Sequence, residues 1–122
     1  MWRHRLVPDR WGWEVPGGPA DEGEDPDLAV VRELEDQTGY RAGHFQHLIT
    51  FQPMAGSIDA EHVVFVGGNP KQIAEPTVMD EVARAEWVPL ESILALISAG
   101  QLWNAGSLVA LLLAKDGRVT VD

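Results

Sequence analysis

Residues 18–40 read GPADEGEDPDLAVVRELEDQTGY, and this stretch decides the fold. Asp25 can cap a helix with its side-chain oxygen, Pro26 suits the first helical position because its missing N–H needs no partner there, and Gly39 can end the helix in a left-handed conformation. The spacing predicts a helix over 26–38. On it, Leu28, Val31 and Leu34 recur at three-residue intervals and are expected to face a core, whereas Glu33, Asp36 and Gln37 stand at i, i+3 and i+4 and share another face. The turn before the helix, Pro16-Gly17-Gly18, permits close backbone approach and exposes carbonyls. A cluster of helical acids alone is ordinarily a solvated surface. Acids facing a glycine turn could instead share one hard cation with the Gly18 carbonyl.

The same residues resemble the Nudix box, G-x5-E-x7-R-E-U-x-E-E-x-G-U with U a bulky aliphatic. Gly18, Glu24, Arg32, Glu33, Leu34 and Gly39 fill their places. Asp36 and Gln37 stand where the pattern has two glutamates, and Tyr40 where an aliphatic is usual. A lone GG or RE would mean little, but this whole spacing is specific. The resemblance implies an α/β/α sandwich with a mixed sheet. It also implies a magnesium-dependent hydrolase, with manganese as the alternative ion, that cleaves a pyrophosphate bond. It places Gly18, Glu33, Asp36 and Gln37 as metal ligands, Arg32 and Glu24 as orienting residues, and Glu33 as a catalytic base.

The departures have consequences. Asp36 keeps its charge but loses about 1.5 Å of reach, and Gln37 gives up a full negative charge where charge count tunes affinity for divalent ions. Weak metal binding follows, and with it an alternative: a catalytically weakened domain that binds a nucleotide or a partner without turnover.

Downstream, FQPMAGSIDAEHVVFV (51–66) places Pro53, Gly56, Ser57 and Glu61 much as ADP-ribose pyrophosphatases do, and LWNAGSLVALLLA (102–114) is similar to their last helix. The resemblance therefore favours ADP-ribose or a nucleotide sugar as substrate and carries a substrate-holding role onto Arg3, Arg5 and Glu14. For Arg3 and Arg5, an outward-facing place on an edge strand is the competing reading. Glu81, beside Asp80 and ahead of EWVPL, is a second catalytic candidate, as metal ligand or general base; a solvated loop acid is its plainer reading. The histidines at 4, 44, 47 and 62 show no ligand spacing.

At 122 residues and 45% hydrophobic content the chain reads as a single domain, 1–122, with one core. A net charge of -10, much of it between Asp21 and Asp36, argues against nucleic acid as a partner. No apolar run is long enough for a membrane span, and there is no cysteine. A cytoplasmic location is the default expectation. Strands are expected at 2–7, 12–15, 47–52, 62–67 and 87–89, and further helices at 90–99 and 105–114. The chain opens inside what should be the strand before the box, so its N-terminal strands read as truncated. An unpaired edge along 2–7, carrying Trp2 and Leu6, would favour a homodimer, the assembly that the resemblance also implies.

Overall fold

A computed structural model describes residues 1–76 and 82–117. The elements are β1 (Trp2–Arg5), β2 (Arg10–Trp13), α1 (Pro26–Thr38), β3 (Tyr40–Arg41), β4 (His44–Phe51), β5 (His62–Gly68), β6 (Lys71–Gln72), β7 (Val82–Arg84), a 3-10 turn (Leu90–Ser92), α2 (Ile93–Ser98) and α3 (Ala105–Lys115). This is mixed helix and strand content, in keeping with an α/β fold.

The sheet differs in detail from the expected one. Among the described residues there are three sheets, ordered β2-β1-β7, β3-β6 and β4-β5, and all their pairings are antiparallel. The mixed sheet is therefore not seen in these pairings. Trp2 pairs with both Trp13 and Arg84, and Arg3 with both Gly12 and Val82. Trp2 and Arg3 thus lie inside the sheet rather than on an unpaired edge, which removes the backbone argument for a homodimer through 2–7. β1 stops at Arg5 because Leu6 begins a turn: its carbonyl accepts the Asp9 N–H at 3.1 Å, and Asp9 sits at φ 50°. The hairpin register then fixes β2 as Arg10–Trp13. No strand forms at 87–89; Trp87 instead meets Tyr40 edge-on, centroids 5.4 Å apart. That contact gives Tyr40 a packing role at its unusual place in the box.

Helix α1 runs as its punctuation predicts, but two details change. Asp25 makes no side-chain cap; its main-chain carbonyl accepts from Leu28 and Ala29, while Pro26 removes one donor from the first turn. The buried face is also rotated. Leu28 is 64% exposed, whereas Ala29 and Gln37 are buried and the Glu33 side chain between them is 13% exposed. Residues 29, 33 and 37 recur every four and form one inward stripe, so the face that packs is largely polar. At the C-terminus Gly39 has φ 75°, and a Cβ there would stand 2.0 Å from the Ala74 carbonyl oxygen. Only glycine fits both conditions.

The fully apolar interior of the described residues is small: Met1, Ala29, Ile93 and Leu102. Polar residues share it, namely Arg3, Glu14, Gln37 and Ser107. No helix of the described residues is long and apolar enough to cross a membrane.

Candidate active site

The site is built where α1 meets the turn at 16–18. Gly18 lies so close to the helix that a Cβ on it would come within 2.7 Å of Glu33 Oε1 and 3.0 Å of its Cδ. A side chain at 18 would push the carboxylate out. The glycine that the spacing singled out therefore acts by absence, letting the backbone close over Glu33.

Arg32 holds the other side. Its guanidinium forks onto Glu24, with Nε donating to Oε2 at 3.0 Å and Nη2 to Oε1 at 2.9 Å, and its Nη1 donates to Glu33 Oε1 at 3.1 Å. Asp21 Oδ2 stands 3.8 Å from Nη2. The fork is the strong bidentate form of the arginine–carboxylate bond. It fixes Glu24 as the anchor of the loop and turns Glu33 toward Gly18. Glu35, the next acid along the helix, pairs with Arg41 at 2.7 Å instead. The Arg32 hydrogen bond, joined by the Asp21 N–H, holds the Glu24 carboxyl at about 2, well below the usual range, and Glu24 in turn raises Arg32.

Gln37 completes the constellation from the inside. Its Oε1 accepts the Gly17 N–H at 3.0 Å; its Nε2 donates to the Gly17 carbonyl at 2.8 Å and to Glu33 Oε2 at 2.7 Å. Both Glu33 oxygens thus carry a donor, one from Arg32 and one from Gln37.

A divalent cation, which the resemblance implies, needs several oxygen donors turned toward one point. Glu33 is present, and Asp36 is half-buried one turn further along the helix. The Gln37 oxygen, however, faces the Gly17 N–H, and its NH2 group, a donor, faces Glu33. No group of three or more His, Asp or Glu among the described residues is arranged to hold a metal ion. As arranged, these side chains do not fit a divalent-ion shell.

Arg3 and Arg5 stand on β1 and Glu14 just after β2. Arg5 forks onto Glu14, Nε to Oε2 at 2.8 Å and Nη2 to Oε1 at 2.6 Å, with the Glu14 side chain 3% exposed. Arg3 is buried in the sheet. Arg5 and Glu14 hold each other, and so tie β1 to the segment that leads into the 16–18 turn. Glu81 and Asp80 lie outside the described residues. The Pro53 segment forms the β4–β5 connection, where Gln52, Ala55, Gly56, Ser57, Ile58 and Asp59 line an open depression of about 420 Å³.

Two contributors went unforeseen. Ser107 is 1% exposed, accepts the Val15 N–H at 3.1 Å and donates to Asn104 Oδ1 at 3.0 Å. Asn104 caps α3 by accepting from the Ser107 N–H. The helix start thereby pins the residue just before the glycine turn. The Asn-x-x-Ser pattern at 104–107 signals the cap; nothing in it signals Val15.

The family model described as the NUDIX domain matches residues 1–110. The chain is 40% identical over 112 residues, 92% of its length, to the CMP-5'-(N-acetyl-N-hydroxy-3-aminopropyl)phosphonate hydrolase of Streptomyces rubellomurinus, of which the match covers 54%. It is 30% identical over 100 residues to the ADP-ribose pyrophosphatase of Bacillus subtilis (80% of this chain, 54% of the relative) and 25% identical over 115 residues to that of Mycobacterium tuberculosis (92% and 56%). The chain thus spans about half the length of the curated relatives it matches. With the family model covering nearly the whole sequence and the box residues assembled around Gly18, the chain belongs to the Nudix family.

Proposed function

We propose that this chain hydrolyses the phosphorus–oxygen–phosphorus link of a nucleoside 5'-diphosphate derivative, with ADP-ribose, a nucleotide sugar or a CMP-phosphonate as the substrate class. The observation that carries the reading is the Glu33 carboxylate, held between Arg32 and the Gly18 turn in a family of pyrophosphohydrolases. The substrates named for two relatives share one chemical unit, a nucleoside monophosphate joined to a second phosphorus.

In this reading Glu33 accepts a proton from a water molecule as the water oxygen bonds to phosphorus. The bridging P–O bond breaks, its electron pair leaves with the bridging oxygen, and the products are a nucleoside monophosphate and a second phosphate or phosphonate. Arg32, anchored by Glu24, orients the Glu33 carboxylate. Nudix hydrolases generally need a divalent metal ion. Magnesium enters this proposal as that family requirement, and no step above is routed through it.

The test is a panel of ADP-ribose, nucleotide sugars and a CMP-phosphonate in H2(18)O, with magnesium, manganese or chelator present, and monophosphate release followed by mass spectrometry. One 18O per turnover in a single product is expected. No release from any member under any metal condition would sink the hydrolase. The engagement of Gln37 favours a second reading, a weakened domain that binds the nucleotide without turnover. Calorimetric binding of ADP-ribose in the absence of any product would support it.

A further inference from the structure

We infer that Gln37 is a positioning residue that clamps the glycine turn against Glu33, so that hydrogen bonds hold the box in shape where the family pattern has a carboxylate. This rests on the assignment of Glu33 as the working carboxylate, but its own evidence is independent of turnover. Gln37 is 4% exposed, and three groups converge on its carboxamide: one donor, the Gly17 N–H, and two acceptors, the Gly17 carbonyl and Glu33 Oε2. Only an amide, with one oxygen and one NH2, satisfies all three.

A glutamate in the same position would set an acceptor oxygen about where Nε2 now stands, 2.8 Å from the Gly17 carbonyl and 2.7 Å from Glu33 Oε2. Two acceptors would face a third without a proton, and two carboxylates would repel each other at close range. Glutamine at 37 is thus matched to its surroundings. What reads in the sequence as a missing ligand is, in the fold, a bond-complete latch on Gly17. A further consequence is that Glu33 is fixed by donors on both oxygens before any substrate arrives.

The experiment compares wild type, Gln37→Glu and Gln37→Leu as full chains, each with chelator and with millimolar magnesium as the probe. Thermal midpoints and amide exchange at Gly17 are measured alongside kcat and KM. For wild type, a slowly exchanging Gly17 amide is expected in chelator. Gln37→Glu should melt lower by roughly 5–10 °C in chelator, given the cost of unpaired buried polar groups, and regain much of that on adding magnesium. Gln37→Leu should also melt lower, with a freely exchanging Gly17 amide and no recovery in magnesium. Any loss of turnover in Gln37→Leu should appear in kcat with KM little changed. A Gln37→Glu chain as stable as wild type in chelator would overturn the inference, and so would a fast-exchanging Gly17 amide in wild type. Neither result depends on whether the chain turns over a substrate, so an inactive wild type would defeat the hydrolase reading and leave the clamp standing.

Discussion

Two glutamines in this molecule make nearly the same set of hydrogen bonds in opposite surroundings. Gln37 accepts from the Gly17 N–H and donates to the Gly17 carbonyl and Glu33. Gln52 accepts from the Ala60 N–H at 3.0 Å and donates to Asp59 Oδ1 at 2.7 Å, closing the β4–β5 connection. Gln37 is buried on the inward stripe of α1, and Gln52 and Asp59 are exposed. In water a lost partner is replaced at once; inside the fold it is not. Equal bonds should therefore contribute unequally, and the box should be the rigid region and the hairpin connection the adaptable one.

The sharpest test of that contrast removes charge from the rigid side. Glu33→Gln should lower kcat on a ADP-ribose-type substrate by about 10²–10⁴-fold, the range for losing a general base. The fold should be nearly retained. The new amide can keep one of its two donors, Arg32 or Gln37, and meets the other with its own NH2 group, a cost of about 1 kcal/mol. Kinetics and thermal unfolding should part company. A large stability loss with little change in rate would make Glu33 a structural residue and dissolve the distinction drawn here.

Next in size is the direct comparison of Gln37→Leu with Gln52→Leu. The first strands the Gly17 N–H and carbonyl and removes one donor to Glu33, all within the fold, for on the order of 2–3 kcal/mol. Denaturant titration of both variants measures the ratio. Equal losses would mean that burial does not separate the two clamps.

How much of this was legible in the sequence follows from what each signal encodes. The helix at 26–38 and its stop at Gly39 were legible because Pro26 and Gly39 act through local backbone chemistry, which needs no knowledge of neighbours. The box spacing gave Gly18, Glu24, Arg32 and Glu33 as one constellation, and the close approach at Gly18 and the Arg32 fork bring those four together. Which face of α1 turns inward was not legible. Leu28 at helical spacing reads as core, yet the 16–18 turn meets Glu33 and Gln37, and Leu28 stays outside. Periodicity ranks faces by apolar content, and here the packed face is polar and bonded. The roles of Gln37 and Ser107 depend on Gly17 and Val15, 20 and 92 residues away in sequence, and no local pattern carries such a pairing. The interior place of Trp2 and Arg3 escaped for the same reason, since β7 is their distant neighbour.

Acid should loosen the rigid region in a defined window. Glu24 titrates at about 2 in the fold against an ordinary 4.5, held down first by the Arg32 hydrogen bond and then by the Asp21 N–H. A carboxyl whose folded value is depressed stabilises the fold fully above pH 4.5 and loses that contribution as the pH falls toward 2. The pair is partly exposed to solvent, with side chains 34% and 17% accessible, so salt should weaken the effect. Glu24→Gln should flatten the stability profile between pH 4.5 and 2 relative to wild type, as read by urea unfolding at each pH. A parallel profile in the variant would mean that other carboxylates govern the acid limb.

The smallest effect belongs to the hairpin connection. Gln52→Ala removes one bond to Asp59 and one to the Ala60 N–H, and because Gln52 and Asp59 are exposed, water can take up both partners. A stability change of at most about 0.5 kcal/mol is expected, within the usual span of surface substitutions. The connection also lines the open depression formed with Gly56 and Ser57, and the segment is the one whose sequence resembles that of ADP-ribose pyrophosphatases. If it contacts substrate, Gln52→Ala should change KM across the nucleotide panel while leaving kcat and the thermal midpoint almost untouched. A midpoint drop as large as that of Gln37→Leu would show that this exposed clamp carries as much of the fold as the buried one, and the contrast between the two regions would fail.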